Sequence, residues 1–107
     1  MLTMAQIEEL SKRIAKDLHP QKIILFGSYA QNEPTEESDV DLLVVADTAL
    51  SPSQRFGAVR RLAADLPASF DIIVKTPAEY ARSRKVVNHI VYFADKYGKV
   101  LYERRDP

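Results

Sequence analysis

The stretch from Lys22 to Val45 constrains this chain most. Two apolar runs, Lys22–Phe26 and Val40–Val45, read as strands. The first breaks at Gly27-Ser28. The second is entered through Ser38-Asp39-Val40-Asp41 after a polar loop that includes Glu33-Pro34-Thr35-Glu36-Glu37. Side chains alternate along a strand, so Asp39 and Asp41 fall on the same side. Two carboxylates at about 4 Å repel by roughly 4 kcal/mol at an effective dielectric of about 20. A divalent cation between them removes that repulsion, which makes the pair a candidate metal site facing a Gly-Ser turn. Past the acids, Leu42 and Val44 on one face and Leu43 and Val45 on the other make the second strand central in a covered sheet.

The remaining chain supplies helices and two further strands. Thr3 with Gln6 forms a capping box. Ile7, Leu10, Ile14 and Leu18 recur at helical spacing, so Met4–Leu18 is expected to be an amphipathic helix ended by His19-Pro20. Ser28–Asn32 has room for one helical turn. Ser51-Pro52 starts another helix, with a buried stripe of Phe56, Val59, Leu62, Ala63 and Leu66 and a stop at Pro67. Phe70–Lys75 is a third strand, with Asp71 interrupting its apolar run. Thr76-Pro77-Ala78-Glu79 repeats the helix-start signature. A further helix carries Val86, Val87, Ile90, Val91 and Ala94 and is capped by Gly98; Val100–Glu103 reads as a last edge strand. The expected order is α-β-α-β-α-β-α-β, a small α/β sheet with flanking helices. Which strands run parallel is left open.

Composition narrows the function. At 107 residues the chain has room for one domain, taken as residues 1–107. Fifteen basic and fifteen acidic residues cancel, so no global field attracts nucleic acid or an anionic membrane, and direct nucleic-acid binding is not expected. The absence of cysteine excludes disulfides and thiolate metal sites. No apolar run approaches the roughly 18 residues of a membrane span. The N-terminal residues lack the pattern of a signal peptide. A cytoplasmic location is the expectation.

Asp39, Asp41 and Asp71 on neighbouring strands would form a hard-oxygen site suited to Mg²⁺ or Mn²⁺. Two such ions can clamp the attacking and leaving oxygens of an in-line phosphoryl displacement. Gly27 permits close backbone approach to a phosphate, and Ser28 offers a hydroxyl and an N–H. These parts together describe nucleotidyl transfer. Each alone is weak: an Asp-x-Asp often only caps a strand, and Asp71 can be read as a solvent-facing strand start. Rival motifs fail on chemistry. A P-loop needs a lysine that Gly27-Ser28-Tyr29 does not supply, and the phosphatase-type Asp-x-Asp carries a Thr where Leu43 stands.

The combination of Gly27-Ser28-Tyr29-Ala30, Ser38-Asp39-Val40-Asp41-Leu42 and Asp71, with Gly98–Glu103 at the close, resembles the nucleotidyltransferase superfamily related to DNA polymerase beta. It looks most like the minimal nucleotidyltransferases (MNT proteins), and the resemblance covers nearly the whole chain. It implies a polymerase beta-like fold with a mixed sheet, Asp39 and Asp41 on two Mg²⁺ ions, Asp71 on the catalytic ion and near the acceptor hydroxyl, and Gly27, Ser28 and Ser38 toward ATP. It also implies a HEPN-domain protein as partner, the MNT protein acting as antitoxin, in some cases by adding AMP to the toxin. The family's Arg-Gly is here Gln31-Asn32. Gln cannot carry the charge with which Arg holds phosphate, so a catalytically silent relative that acts by binding a partner is the alternative. Among the other residues, Arg82-Ser83-Arg84-Lys85 is the densest basic cluster; it reads as a solvated stretch between helices, with the triphosphate or an acidic partner surface as the alternatives. His19 and His89 read as structural. Tyr29 fits equally a nucleotide pocket or packing on the first helix.

Overall fold

The computed structural model describes residues 1–105. Four strands form one mixed sheet: β1 (Lys22–Phe26), β2 (Val40–Val45), β3 (Phe70–Lys75) and β4 (Lys99–Glu103), in the spatial order β3-β2-β1-β4. The helices are α1 (Met4–Leu18), α2 (Pro52–Leu62), α3 (Pro77–Ser83) and α4 (Ile90–Tyr97). β1 pairs antiparallel with both β2 and β4, whereas β2 and β3 are parallel, joined by the α2 crossover. The expected α/β class, the mixed sheet, the central place of β2 and the edge place of β4 all hold.

Strand alternation decides the layers. Ile23, Leu25, Leu42, Val44, Ile72 and Val74 face one way and bury against α1 and α2. Ile24, Phe26, Leu43 and Val45 face the other way, under Tyr80 of α3 and Val91 and Ala94 of α4. The two central strands thus have both faces covered, which is why they read as unbroken apolar runs.

The three Ser or Thr helix starts form as the sequence predicts: Thr3, Ser51 and Thr76 each accept a hydrogen bond from the backbone three residues on, reciprocated by Gln6, Gln54 and Glu79. His19 ends α1 at φ 49°.

Four expectations need correction. Ser28–Asn32 makes the single turn expected of it but no helix, so the expected element order loses one member here. The turn's amides bond back to the Gly27 and Ser28 carbonyls, and Asn32 at φ 58° prevents a second turn, so no helix separates β1 from β2. α2 stops at Leu62, five residues before Pro67, because Arg13 of α1 donates to the Leu62 carbonyl at 2.9 Å and to Asp65 at 2.7 Å, tying down the helix end. Of its expected stripe Val59 and Ala63 are buried, while Phe56 is exposed. The last helix begins at Ile90: Asn88 at φ 74° breaks the chain direction and His89 Nδ1 accepts the Val91 N–H as a new N-cap, leaving Val86 and Val87 outside and exposed.

Gly98 does end α4, but at φ −79°, without the left-handed turn usual for such a glycine. Its value is space. A Cβ there would lie 2.3 Å from the Ala94 carbonyl oxygen and 2.4 Å from Ile24, so only glycine lets the chain enter β4 this close to β1.

Candidate functional site

The sheet register assembles the site. Antiparallel pairing sets Asp41 opposite Phe26, the last residue before Gly27, and parallel pairing sets Asp41 beside Asp71 on β3. Asp41 alternates with the Leu43 and Val45 side of β2, and Asp71 with the Ile73 side of β3. Both therefore lie on the α3–α4 face of the sheet, at the end where β2 and β3 begin. Asp39 precedes β2 and is exposed, as is Asp71; Asp41 is half-buried.

Gly27 turns at φ 73°, the left-handed conformation that glycine adopts freely. A Cβ at this position would sit 2.0 Å from Asp41 Oδ2. The turn and the carboxylate are thus in direct apposition, and only a glycine leaves room for the acid. The turn is closed by Ala30 and Gln31 amides on the Gly27 carbonyl at 3.1 and 3.2 Å and by the Glu33 amide on the Ser28 carbonyl at 3.0 Å. Among the described residues the half-buried Ser28 hydroxyl has no hydrogen-bond partner. Ser38 is engaged differently: its hydroxyl accepts the Thr35 N–H at 2.9 Å and closes the loop that leads into Asp39.

Electrostatics single out Asp41. Burial, then Asp71, then Asp39 push its carboxyl from 3.8 up to about 6. The two neighbouring acids thus act on Asp41 as uncompensated like charges. Among the described residues no three acidic or imidazole side chains are close enough, as they stand, to enclose a metal ion. A hollow of about 500 Å³ between α1 and β4 and a smaller polar one of about 260 Å³ beside Lys22 and Tyr80 both lie away from this edge.

The remaining residues sort clearly. Tyr29 is buried against the N-terminus, its hydroxyl accepting the Leu2 N–H at 3.2 Å, so packing on the α1 side wins over a pocket role. Asn32 holds a left-handed φ of 58°, which explains how it stands where the resembling family has Gly: Asn tolerates that conformation best after Gly. Gln31 is exposed, and its Nε2 donates to the Tyr97 carbonyl at 3.4 Å, joining the turn to the end of α4. Of the basic cluster, Arg84 pairs with Asp95 at 3.0 Å and covers the Tyr80 ring, whereas Arg82 and Lys85 are exposed. Sequence reasoning missed the Tyr80–Asp95 hydrogen bond that joins α3 to α4 and, with burial, raises the Tyr80 hydroxyl to about 12. Nothing in their spacing signals that pairing.

Comparison with known proteins agrees with this geometry. The family described as polymerase beta, nucleotidyltransferase matches residues 8–106. Protein adenylyltransferase MntA of Thermococcus cleftensis is 30% identical over 96 residues, covering 86% of this chain and 97% of that protein. A Methanocaldococcus jannaschii protein, provisionally named a protein adenylyltransferase, is 47% identical over 57 residues; that match takes in 50% of this chain and spans only 57% of the relative. A chain in the crystal structure of a toxin–antitoxin with AMP-PNP superposes with a TM-score of 0.68 at 25% identity, over 92% of this chain and 74% of that one.

Proposed function

Because this chain belongs to the polymerase beta nucleotidyltransferase family, we propose that it transfers AMP from ATP to a hydroxyl of a protein partner, with Asp39, Asp41 and Asp71 as the catalytic carboxylates. The observation that supports this most is the register that seats Asp41 beside Asp71 while Gly27, lacking a Cβ, leaves the space that the Asp41 carboxylate fills. Names of relatives point the same way: MntA of Thermococcus cleftensis is a protein adenylyltransferase.

The acids fit a pair of Mg²⁺ ions by their chemistry. They are hard oxygen donors, and the raised Asp41 carboxyl records negative charge in want of a counter-charge. Asp39 and Asp41 would hold both ions and Asp71 the catalytic one. When bound, Mg²⁺ supplies electrostatic stabilisation of the charge on the transferring phosphoryl group. The protein's own part is positioning. Gly27 lets the triphosphate approach the backbone, Ser28 donates to it, and Ser38 holds the acid-bearing loop in place beside it. Asp71 takes the proton of the acceptor hydroxyl as its oxygen attacks the α-phosphorus; the bond to the β-phosphate oxygen breaks and pyrophosphate leaves.

The acceptor we assign is a HEPN-domain toxin, with this chain as its antitoxin, acting in the cytoplasm where ATP is plentiful. The toxin–antitoxin structure that shares the fold supports this assignment. Transfer of labelled AMP to the co-expressed HEPN protein tests the reading, with Asp41→Ala as control. Equal labelling by both removes Asp41 from the mechanism.

Gln31 supports a second reading, that of a silent relative which neutralises its partner by binding alone. It is neutral where the family carries Arg, and its amide is turned to the Tyr97 carbonyl. Under that reading Asp39→Ala/Asp41→Ala still neutralises the toxin.

A further inference from the structure

Five large apolar side chains within one short segment stay exposed: Val86 at 53%, Val87 at 65%, Ile90 at 49%, Phe93 at 42% and Tyr97 at 56%. The last three recur at spacings of three and four along α4, whose adjoining face buries Val91 and Ala94 on the sheet. Phe93 and Tyr97 stack at 6.3 Å and 21°, which presents a flat aromatic surface outward. Contiguous exposed apolar strips rimmed by polar residues are a common mark of interaction surfaces.

Its surroundings define the occupant. Between Arg82 and Lys99 the chain carries five Lys or Arg and one acid, although its overall charge is zero. That acid, Asp95, is turned inward to Tyr80 and Arg84. Lys96 lies over the Tyr92 and Tyr97 rings at 5.6 and 5.5 Å, so positive charge borders the aromatic surface directly. The strip also reaches the transfer site, because the Tyr97 carbonyl accepts from Gln31 on the Gly27 turn.

We infer that this α4 strip is the docking surface for the acceptor protein, which meets it with an amphipathic helix whose apolar stripe is flanked by Asp and Glu. The inference rests on the transfer reading for the identity of that protein. A helix seated there brings its neighbouring side chains toward the edge where Asp41 and Asp71 lie. The basic rim steers the encounter, while the aromatic pair supplies the buried anchor.

Calorimetric titration against the HEPN-domain acceptor tests it. Phe93→Glu weakens binding by at least about tenfold. Lys85→Glu/Lys96→Glu, which leaves the apolar strip intact, weakens it at low salt and flattens its salt dependence. Asp41→Asn binds as wild type does. Undiminished binding by both surface variants overturns the inference, as does a wild-type protein that does not bind. Sedimentation showing wild-type dimers that Phe93→Glu dissociates also overturns it, in favour of a second copy of this chain. Labelled-AMP transfer is read on the same samples: binding lost with Phe93→Glu but no transfer by wild type upholds the docking surface and sinks only the transfer reading.

Discussion

Replacing Asp41 by Asn should stabilise the metal-free protein, and the gain should depend on pH in a way that identifies its cause. Burial and two neighbouring acids raise the Asp41 carboxyl from 3.8 to about 6. Taken whole, that rise corresponds to about 3 kcal/mol. Asp41 is only half-buried, so solvent screening leaves about 1–2 kcal/mol. The sign follows from linkage. Below about pH 4 the carboxyl is protonated in folded and unfolded chains alike and costs nothing. Between about pH 4 and 6 the unfolded chain ionises first, and stability falls. Above about pH 6 the full cost is present. Asn removes the charge while keeping the shape. In EDTA at pH 7.5, Asp41→Asn should therefore melt roughly 5–10 °C above wild type, and at pH 3.5 the two should coincide. Carboxylates remote from Asp41 titrate alike in both proteins and cancel in the difference. A variant no more stable than wild type at pH 7.5, or a gain that persists at pH 3.5, would refute the claim that charge crowding dominates at this position.

The same acids should couple stability to ligand. Millimolar Mg²⁺ with ATP should raise the wild-type melting temperature, by an amount equivalent to about 2–3 kcal/mol near a hundredfold excess over Kd, and should leave Asp39→Asn/Asp41→Asn unmoved; thermal scans with and without the pair decide it. Gly98→Ala should cost about 1–3 kcal/mol by chemical denaturation, because its methyl would meet the Ala94 and Leu25 carbonyl oxygens, which belong to the backbone and cannot swing aside. On the transfer reading, Gly27→Ala should lower AMP transfer more than stability: its methyl collides with the Asp41 carboxylate, a movable side chain, and displaces the group proposed to hold the metal ions. A melting temperature that collapses while transfer per folded molecule stays normal would reverse that assignment. Leu43→Ala, beneath α4, should cost about 2–5 kcal/mol.

How far the fold could be read in advance depended on whether local chemistry or a distant contact set each feature. Capping boxes are local, so all three Ser or Thr helix starts were legible. Central strands announce themselves by apolar residues at every position, so β1 and β2 were too. The misplaced boundaries were set from outside their own segment or by single backbone angles. Nothing near Leu62 says that Arg13, far back in the chain, will capture its carbonyl. The apolar spacing of Val86 and Val87 fits a helix, but α3 has already ended at Ser83 and the left-handed Asn88 delays α4 to Ile90.

The candidate site follows the same division, with one step of synthesis beyond it. That Asp39 and Asp41 share a side of the chain is a property of alternation. That Asp71 joins them requires β3 to run parallel to β2 with no slip, and the sequence left that open. A slip of one residue would turn Asp71 to the α1–α2 face, into the apolar layer that Ile72 and Val74 occupy. The burial of those two residues therefore fixes the register that brings the carboxylates together. The core thereby forces like charges into proximity at one end of the sheet, a cost that falls on Asp41. On the transfer reading, Ile72 positions the acids as well as filling the core. Ile72→Val, which keeps the face apolar, should leave transfer intact, whereas Ile72→Asp, which rewards the slipped pairing, should abolish transfer even in molecules that remain folded by circular dichroism. Full activity in a folded Ile72→Asp protein would show that the register is not what gathers the acids.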